Sequence, residues 1–195
     1  MDTKLKLIVS SLGQNLFKTD ELLSDHTVLK LGGPAKLFFV ATNQREIIKV
    51  IDYCRQLKIP FLLFGTGSKM AIADRGFEGL VIKNRSQDMK VVSIKGKVSK
   101  FGIGVEEALV EADSGVTIGN FVEFLIKQGL KSESFVGLPG SIGGNLFINA
   151  LLQQAAEKVR ILTPSSKIEN ISPKNLKLGR EVILSATFKI KAASD

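Results

Sequence analysis

Gly137-Leu138-Pro139-Gly140-Ser141-Ile142-Gly143-Gly144-Asn145 is the stretch on which the reading of this chain turns. Four glycines and a proline in nine residues form neither a helix interior nor a central strand. Glycine supplies positive-φ positions and lets a backbone come close to a ligand, while proline fixes one bend. Successive N–H groups of such a loop point into one concavity and hold an anion. An apolar, helix-compatible run from Leu146 to Leu152 follows, which places a helix N-terminus beside the loop. The same composition also builds a tight structural turn, and one glycine loop does not separate the two readings. A second loop, Gly65-Thr66-Gly67-Ser68-Lys69, shifts the balance toward a ligand.

The 195 residues suffice for one sizeable domain or two small lobes. Hydrophobic residues make up 44% and charged residues 24%, an ordinary globular balance. No run of about 18 apolar residues occurs, so no membrane span is expected. Residues 1–14 carry Asp2, Lys4 and Lys6 and lack the unbroken apolar core of a secretory signal. The single cysteine, Cys54, allows no internal disulfide and fits a reducing, cytoplasmic setting. With one histidine and one cysteine, no His/Cys metal site is expected. The formal charge of +8 suits a phosphate-rich partner. Nucleic acid is not that partner, because the lysines are scattered and the aromatics are twelve Phe and one Tyr in apolar contexts.

Periodicity supplies the elements. Leu5, Ile8, Val9 and Leu12 mark a short amphipathic helix over 4–12, and 20–31 is less regular. Gly32-Gly33-Pro34 precedes a strand over 35–40. Asn43 then caps a helix with Glu46 at the capping-box position, and Pro60 ends it. The strand 61–64 runs into the first glycine loop, an arrangement that presents backbone amides at a strand's C-terminal end. Short runs at 79–83, 89–94, 101–105 and 108–112 read as a meander of strands, and 116–128 as a helix. Residues 159–162 and 167–171 flank a hairpin turn, 172–176 make one helical turn, and 182–190 form a last strand. The gross picture is a βαβ lobe joined to a larger mixed lobe, with the glycine loops facing a crevice between them.

Three blocks carry a resemblance. Phe64-Gly-Thr-Gly-Ser-Lys-Met-Ala-Ile-Ala-Asp-Arg-Gly-Phe-Glu-Gly-Leu-Val-Ile82, His26-Thr-Val-Leu-Lys-Leu-Gly-Gly-Pro-Ala35 and Gly137-Leu-Pro-Gly-Ser-Ile-Gly-Gly144 with Asn149-Ala150 stand in one order. Together they resemble the UDP-N-acetylenolpyruvoylglucosamine reductase family over about residues 20–190. The resemblance implies an α+β, two-lobed FAD-binding fold of the vanillyl-alcohol oxidase/p-cresol methylhydroxylase (PCMH) type. Residues 1–83 are then the first lobe and 84–195 the second, with the substrate-binding third domain absent. In that family NADPH reduces a non-covalent FAD, and the flavin passes hydride to an enolpyruvyl UDP-sugar during peptidoglycan precursor synthesis. Carried over, Gly65, Thr66, Gly67, Ser68 and Lys69 face the FAD pyrophosphate, and Gly137, Pro139, Gly140, Ser141, Gly143, Gly144 and Asn149 close on the cofactor. On this reading a β-branched residue at Gly67 or Gly140 abolishes binding and leaves the fold mostly intact.

The departures from that pattern matter equally. Lys69 stands where the family has Asn, and Leu151-Leu-Gln-Gln154 replaces Gly-Ala-Tyr-Gly. The tyrosine-arginine segment that reaches the substrate is not evident, and the only tyrosine, Tyr53, lies on an early helix. Arg180 is a weak candidate for the family's active-site arginine, and reads more readily as a solvated strand-edge residue. His26 reads as a satisfied turn histidine, and Glu106, Glu107 and Glu133 as solvated. The expectation is therefore a flavin-binding portion, a truncated homologue inactive alone or completed by a second chain. The alternative is a catalytically lapsed module that binds flavin or nucleotide.

Overall fold

The computed structural model describes residues 3–99, 102–177, 179 and 181–193, with backbone alone at 97–99, 102 and 103. Contacts divide the chain between Ser86 and Gln87 into two compact units, each described here by itself.

The first unit is built on a four-stranded sheet. Its strands are β1 (Phe17–Leu22), β2 (Pro34–Ala41), β3 (Phe61–Phe64) and β4 (Phe77–Asn84), in the order β1-β2-β4-β3. β4 runs parallel to both β2 and β3, while β1 runs antiparallel to β2. The helix α1 (Thr3–Leu12) buries Leu5 and Ile8, and α2 (Gln44–Leu57) buries Ile47, Val50, Ile51 and Cys54. α2 packs on β2 and β4, and with its 3.6 periodicity it covers one face of the sheet. The capping box forms with a one-residue shift. Asn43 accepts from the Glu46 amide at 3.0 Å, and the Glu46 carboxylate accepts from the Thr42 amide at 2.7 Å. At the other end Lys58 takes the left-handed conformation that turns the chain toward Pro60. Against the opposite face lies a short 3₁₀ turn, Leu23–His26. Leu23, Ala35, Phe38, Phe64 and Val81 form a second apolar layer, closed by Met70 and Ile72 from the loop after β3.

The second unit is a five-stranded antiparallel sheet in the order β5-β6-β9-β7-β8. The strands are β5 (Met89–Ser99), β6 (Gly102–Asp113), β7 (Ala156–Leu162), β8 (Ile168–Ile171) and β9 (Val182–Lys191). α3 (Ile118–Lys127), capped by Thr117 on the Asn120 amide, buries Ile118, Phe121 and Leu125 against one face. There Phe121 meets Phe188 and Phe135 with ring centroids 4.9 and 5.7 Å apart. Two short helices, α4 (Ile142–Leu146) and α5 (Ala150–Ala155), bury Ile142, Leu146 and Leu152 in the same core.

Three readings of the sequence are corrected. The first residues of the less regular stretch 20–31, Asp20 to Leu22, belong to the strand β1. The expected meander at 89–112 is one long hairpin, whose outer half exposes Val92, Ile94 and Val105. Leu146–Leu152 is not one helical run, because α4 stops at Leu146 and Asn149 caps a new helix, α5. Among the described residues no helix is long and apolar enough to cross a membrane, and no cluster of His, Cys, Asp and Glu could hold a metal.

Cys54 lies fully buried on α2, and burial pushes its thiol from the ordinary 9.0 up to about 12. An unfolded thiol ionises above 9.0 while the folded one keeps its proton, so between 9.0 and about 12 stability falls as pH rises. A thiol reagent at neutral pH is expected to label Cys54 only after denaturation. Labelling of the folded chain at the rate of a free thiol contradicts this burial.

Candidate functional site

The first glycine loop leaves the end of β3 and lies on the sheet face away from α2, against the Leu23–His26 turn. Gly67 has φ +69°, and a Cβ there would run into the His26 carbonyl oxygen and lie 3.0 Å from Thr27 Cα. The close approach is fastened by the Val28 amide, which donates to the Gly67 carbonyl at 3.4 Å. Thr27 Oγ1 donates to the Leu31 carbonyl at 2.9 Å and holds the facing segment in a turn. Within the loop, Thr66 Oγ1 donates to Ser68 Oγ at 3.1 Å, so the Ser68 hydroxyl keeps its own hydrogen to give to a ligand. Lys69 is exposed, and partial burial of its stem holds its ammonium below the usual lysine range. Gly65, Thr66, Gly67, Ser68 and Lys69 therefore form one continuous loop, as expected.

Behind this loop stands a polar chain that sequence reasoning did not assemble. Lys18 Nζ lies 2.7 Å from Glu21 Oε1, which lies 3.0 Å from His26 Nε2. His26 Nδ1 is 3.0 Å from Lys83 Nζ, and the imidazole stacks on Phe38 with centroids 4.4 Å apart. Hydrogen bonds from Lys18 and His26 hold the Glu21 carboxyl below its ordinary range. Burial lowers the Lys83 ammonium, and the neighbouring Arg85 charge lowers it further. His26 is thus satisfied at both ring nitrogens, in keeping with a turn histidine. A cavity of about 500 Å³ in the same unit lies elsewhere, at the starts of β2 and β4. There Lys36 is already paired with Asp20 and Glu78 at 3.8 Å.

The second glycine loop is braced from inside. Asn145, buried to 1% exposure, donates through Nδ2 to the carbonyls of Pro139 at 3.0 Å and Ser141 at 2.9 Å. Gly137 and Gly140 take φ +78° and +104°, the left-handed region that a side chain rarely adopts. The loop is stitched to the start of α3. The amides of Ile142 and Gly143 donate to Val116 and Ser114 carbonyls at 2.8 and 2.9 Å, and the Gly140 carbonyl accepts from Ile118 at 3.0 Å. The Gly143 amide is therefore spent on the fold. Its missing side chain serves packing, since a Cβ there would sit 2.9 Å from Ser114 Cβ.

What remains for a ligand is narrower than the sequence implied. Ser141 precedes α4 as its N-cap yet makes no side-chain capping bond. Gly144 is exposed, and a Cβ there would touch only Ser141 Oγ, at 3.6 Å. Gly137 and Pro139 are exposed at the loop's approach. Asn149 spends its side-chain oxygen on the Leu151 and Leu152 amides at 3.0 and 3.1 Å. Leu151-Leu-Gln-Gln154 has become α5, pinned where Gln153 Nε2 donates to the Leu146 carbonyl at 2.8 Å. Arg180 lies outside the described residues. Glu106 and Glu107 are ion-paired to Lys95, and Glu107 also to Lys189 at 3.2 Å. The donor set suits a diphosphate, with small residues on the surface, unspent hydroxyls and left-handed turns that bring backbone close.

The comparisons with known proteins bear on the same loops. A model of the FAD binding domain family matches residues 35–169, more than half of the 195-residue chain. The chain belongs to that FAD binding domain family. Both glycine loops fall inside the matched span. Over 178 residues the chain is 32% identical to the UDP-N-acetylenolpyruvoylglucosamine reductase of Clostridium tetani, an alignment covering 88% of this chain and 54% of that protein. The chain thus spans about half the length of that curated relative. Among solved structures, the UDP-N-acetylenolpyruvylglucosamine reductase of Thermus caldophilus aligns with a TM-score of 0.68 at 20% identity, over 89% of this chain and 62% of that one. p-Cresol methylhydroxylase aligns at 0.60 with 12% identity, over 97% and 43%. The fold is accordingly the α+β, two-lobed FAD-binding type of that oxidase family. The resemblance read from the three sequence blocks is borne out, and the chain carries an FAD binding domain similar to that of UDP-N-acetylenolpyruvoylglucosamine reductases.

One expectation about the first glycine loop is corrected. Gly67 does not tolerate a side chain independently of any ligand, because its own neighbours fill the space. Gly67→Ala is expected to cost about 1–3 kcal/mol of stability. Gly144→Ala, with φ in the helical range and open surroundings, is expected to melt at or slightly above the wild-type temperature. Thermal melts of the two variants without any added cofactor check the contrast, and equal losses would count against it.

Proposed function

We propose that this chain binds FAD non-covalently, with Gly65, Thr66, Ser68 and Lys69 in the first unit and Gly137, Pro139, Gly140, Ser141 and Gly144 in the second each offering contacts to the cofactor. The observation that carries the reading is the family match over residues 35–169, which contains both loops. Non-covalent attachment is supported by the side chains that flavins are commonly fixed to. The one cysteine is buried with a thiol held protonated, and the one histidine has both nitrogens engaged. Bound flavin supplies hydride transfer, and the chain's part is to hold its phosphates and orient it.

The activity served is the NADPH-dependent reduction of an enolpyruvyl UDP-sugar in the cytoplasm, by analogy with the named relatives. No second chain is part of this proposal, since nothing here points to one. The chain by itself does not turn over that substrate. Hydride delivery to an enol ether needs the acceptor's carboxylate held and a proton given to the neighbouring carbon, and each contribution is worth orders of magnitude. Among the described residues no such pair of groups is assembled at either loop. A second reading, a lapsed flavin-binding module, is favoured by α5. Leu152 is fully buried there and Gln153 is bonded to Leu146, so the segment that departs from the family is locked in a helix.

Four measurements test the proposal. Titration with FAD is expected to quench flavin fluorescence to a 1:1 end point, and denaturation is expected to release all the flavin. Gly144→Val is expected to weaken binding while the melting temperature holds. Anaerobic NADPH oxidation is expected to be slow and indifferent to the UDP-sugar. Stoichiometric reduced sugar from the 195-residue chain would overturn the inactivity, and absence of quenching at high flavin would overturn the cofactor.

A further inference from the structure

His26 is the only histidine in the chain, and its ring is held on three sides. Its flat face stacks on Phe38 of β2, its Nε2 lies 3.0 Å from Glu21 Oε1 on β1, and its Nδ1 lies 3.0 Å from Lys83 Nζ on β4. A lysine ammonium can only donate, so Nδ1 must offer its lone pair. The single ring proton then sits on Nε2 and is donated to the Glu21 carboxylate, which Lys18 holds from its other side at 2.7 Å. One neutral imidazole thus bridges a cation and an anion on two strands that are not neighbours in the sheet. Its side chain is only 16% exposed, so these bonds form away from most solvent competition.

The backbone of the same residue is what Gly67 leans on. The His26 carbonyl and Thr27 Cα occupy the space a Gly67 side chain would need, and Val28 donates to the Gly67 carbonyl. We infer that His26 is a positioning residue for the first glycine loop: its imidazole, locked as the Nε2–H tautomer between Glu21 and Lys83, fixes the 26–28 backbone against which Gly67 is seated. Other routes to a fixed segment are weaker here. Val28 and Leu29, which follow, are exposed and contribute no packing anchor. Thr27 bonds only within its own turn.

The inference rests on the FAD reading for its binding test alone, and two readouts stand without it. In a ¹⁵N-histidine sample the lone imidazole gives one spin system, expected to show the proton on Nε2. A proton on Nδ1, or an even mixture, overturns the inference. Hydrogen exchange of peptides spanning 64–70 is expected to speed up in His26→Phe, which keeps the stacking and the net charge and removes only the two hydrogen bonds. FAD binding in that variant is expected to weaken about tenfold. His26→Gln, whose amide offers one acceptor and one donor, is expected to restore most of both. Should His26→Phe fail to fold, Lys83→Met carries the test, with a mixed tautomer and faster loop exchange expected. Wild-type exchange and affinity in His26→Phe overturn the inference. If the wild-type chain binds no FAD, the tautomer and exchange results still decide, and the failure belongs to the cofactor reading.

Discussion

Gly67 has to lie against the His26 carbonyl, and much of the first unit follows from that contact. Two backbone segments that close leave no room for Cβ, and they stay together only if their polar groups are paired. The Val28 amide meets the Gly67 carbonyl, and Leu23 and Ser24 donate to Gly33 and Gly32 at 3.1 and 3.0 Å. A further amide, Gly33, donates to Ala73 at 3.1 Å. The sheet face away from α2 is thereby covered by the 3₁₀ turn Leu23–His26 and the loop after β3, with Leu23, Met70 and Ile72 supplying the apolar filling. Glycine in this loop is first a folding requirement, and only afterwards a convenience for a ligand.

The second loop reaches a similar end by another route. Its curvature is held by one buried amide side chain, Asn145, which donates to the Pro139 and Ser141 carbonyls. Because Ile142 and Gly143 turn their amides toward Val116 and Ser114, they cannot also serve a phosphate. A loop that looks from its composition like a row of backbone donors is in part a splice between two pieces of core. The donors it leaves are the Ser141 hydroxyl and the open surface at Gly144, which narrows the contact with a diphosphate to a few atoms.

The sequence was most legible where one local force dominates. The α2 boundaries follow from Asn43, Glu46 and Pro60, and the core strands β2, β4 and β9 from dense apolar runs. Legibility failed where exposure hides the period. β1 reads Phe-Lys-Thr-Asp-Glu-Leu and buries nothing fully, because it is an edge strand whose pairing, not its side chains, makes it a strand. The hairpin of β5 and β6 was split because its outer half leaves the core and carries lysine and glutamate among its valines and isoleucines. The glycine loops were visible as loops, but not the division of labour within them. Nothing in the spacing tells that the Gly143 amide is taken while the Ser141 hydroxyl is not.

The same distinction explains why the cofactor half of this site can be argued and the substrate half cannot. Holding a diphosphate takes backbone turns and small residues that are contiguous in the chain, so a short stretch of sequence carries most of the requirement. Delivering a proton or gripping a carboxylate takes side chains brought together from distant positions, as Glu21, His26 and Lys83 are. Those three are spread over sixty-odd residues, and no periodicity links them. Their alignment depends on β1 and β4 flanking β2, a fact of topology and not of motif. A catalytic set would be specified in the same dispersed way. The blocks that resemble the reductases therefore carry the FAD binding domain family and do not specify what is reduced there.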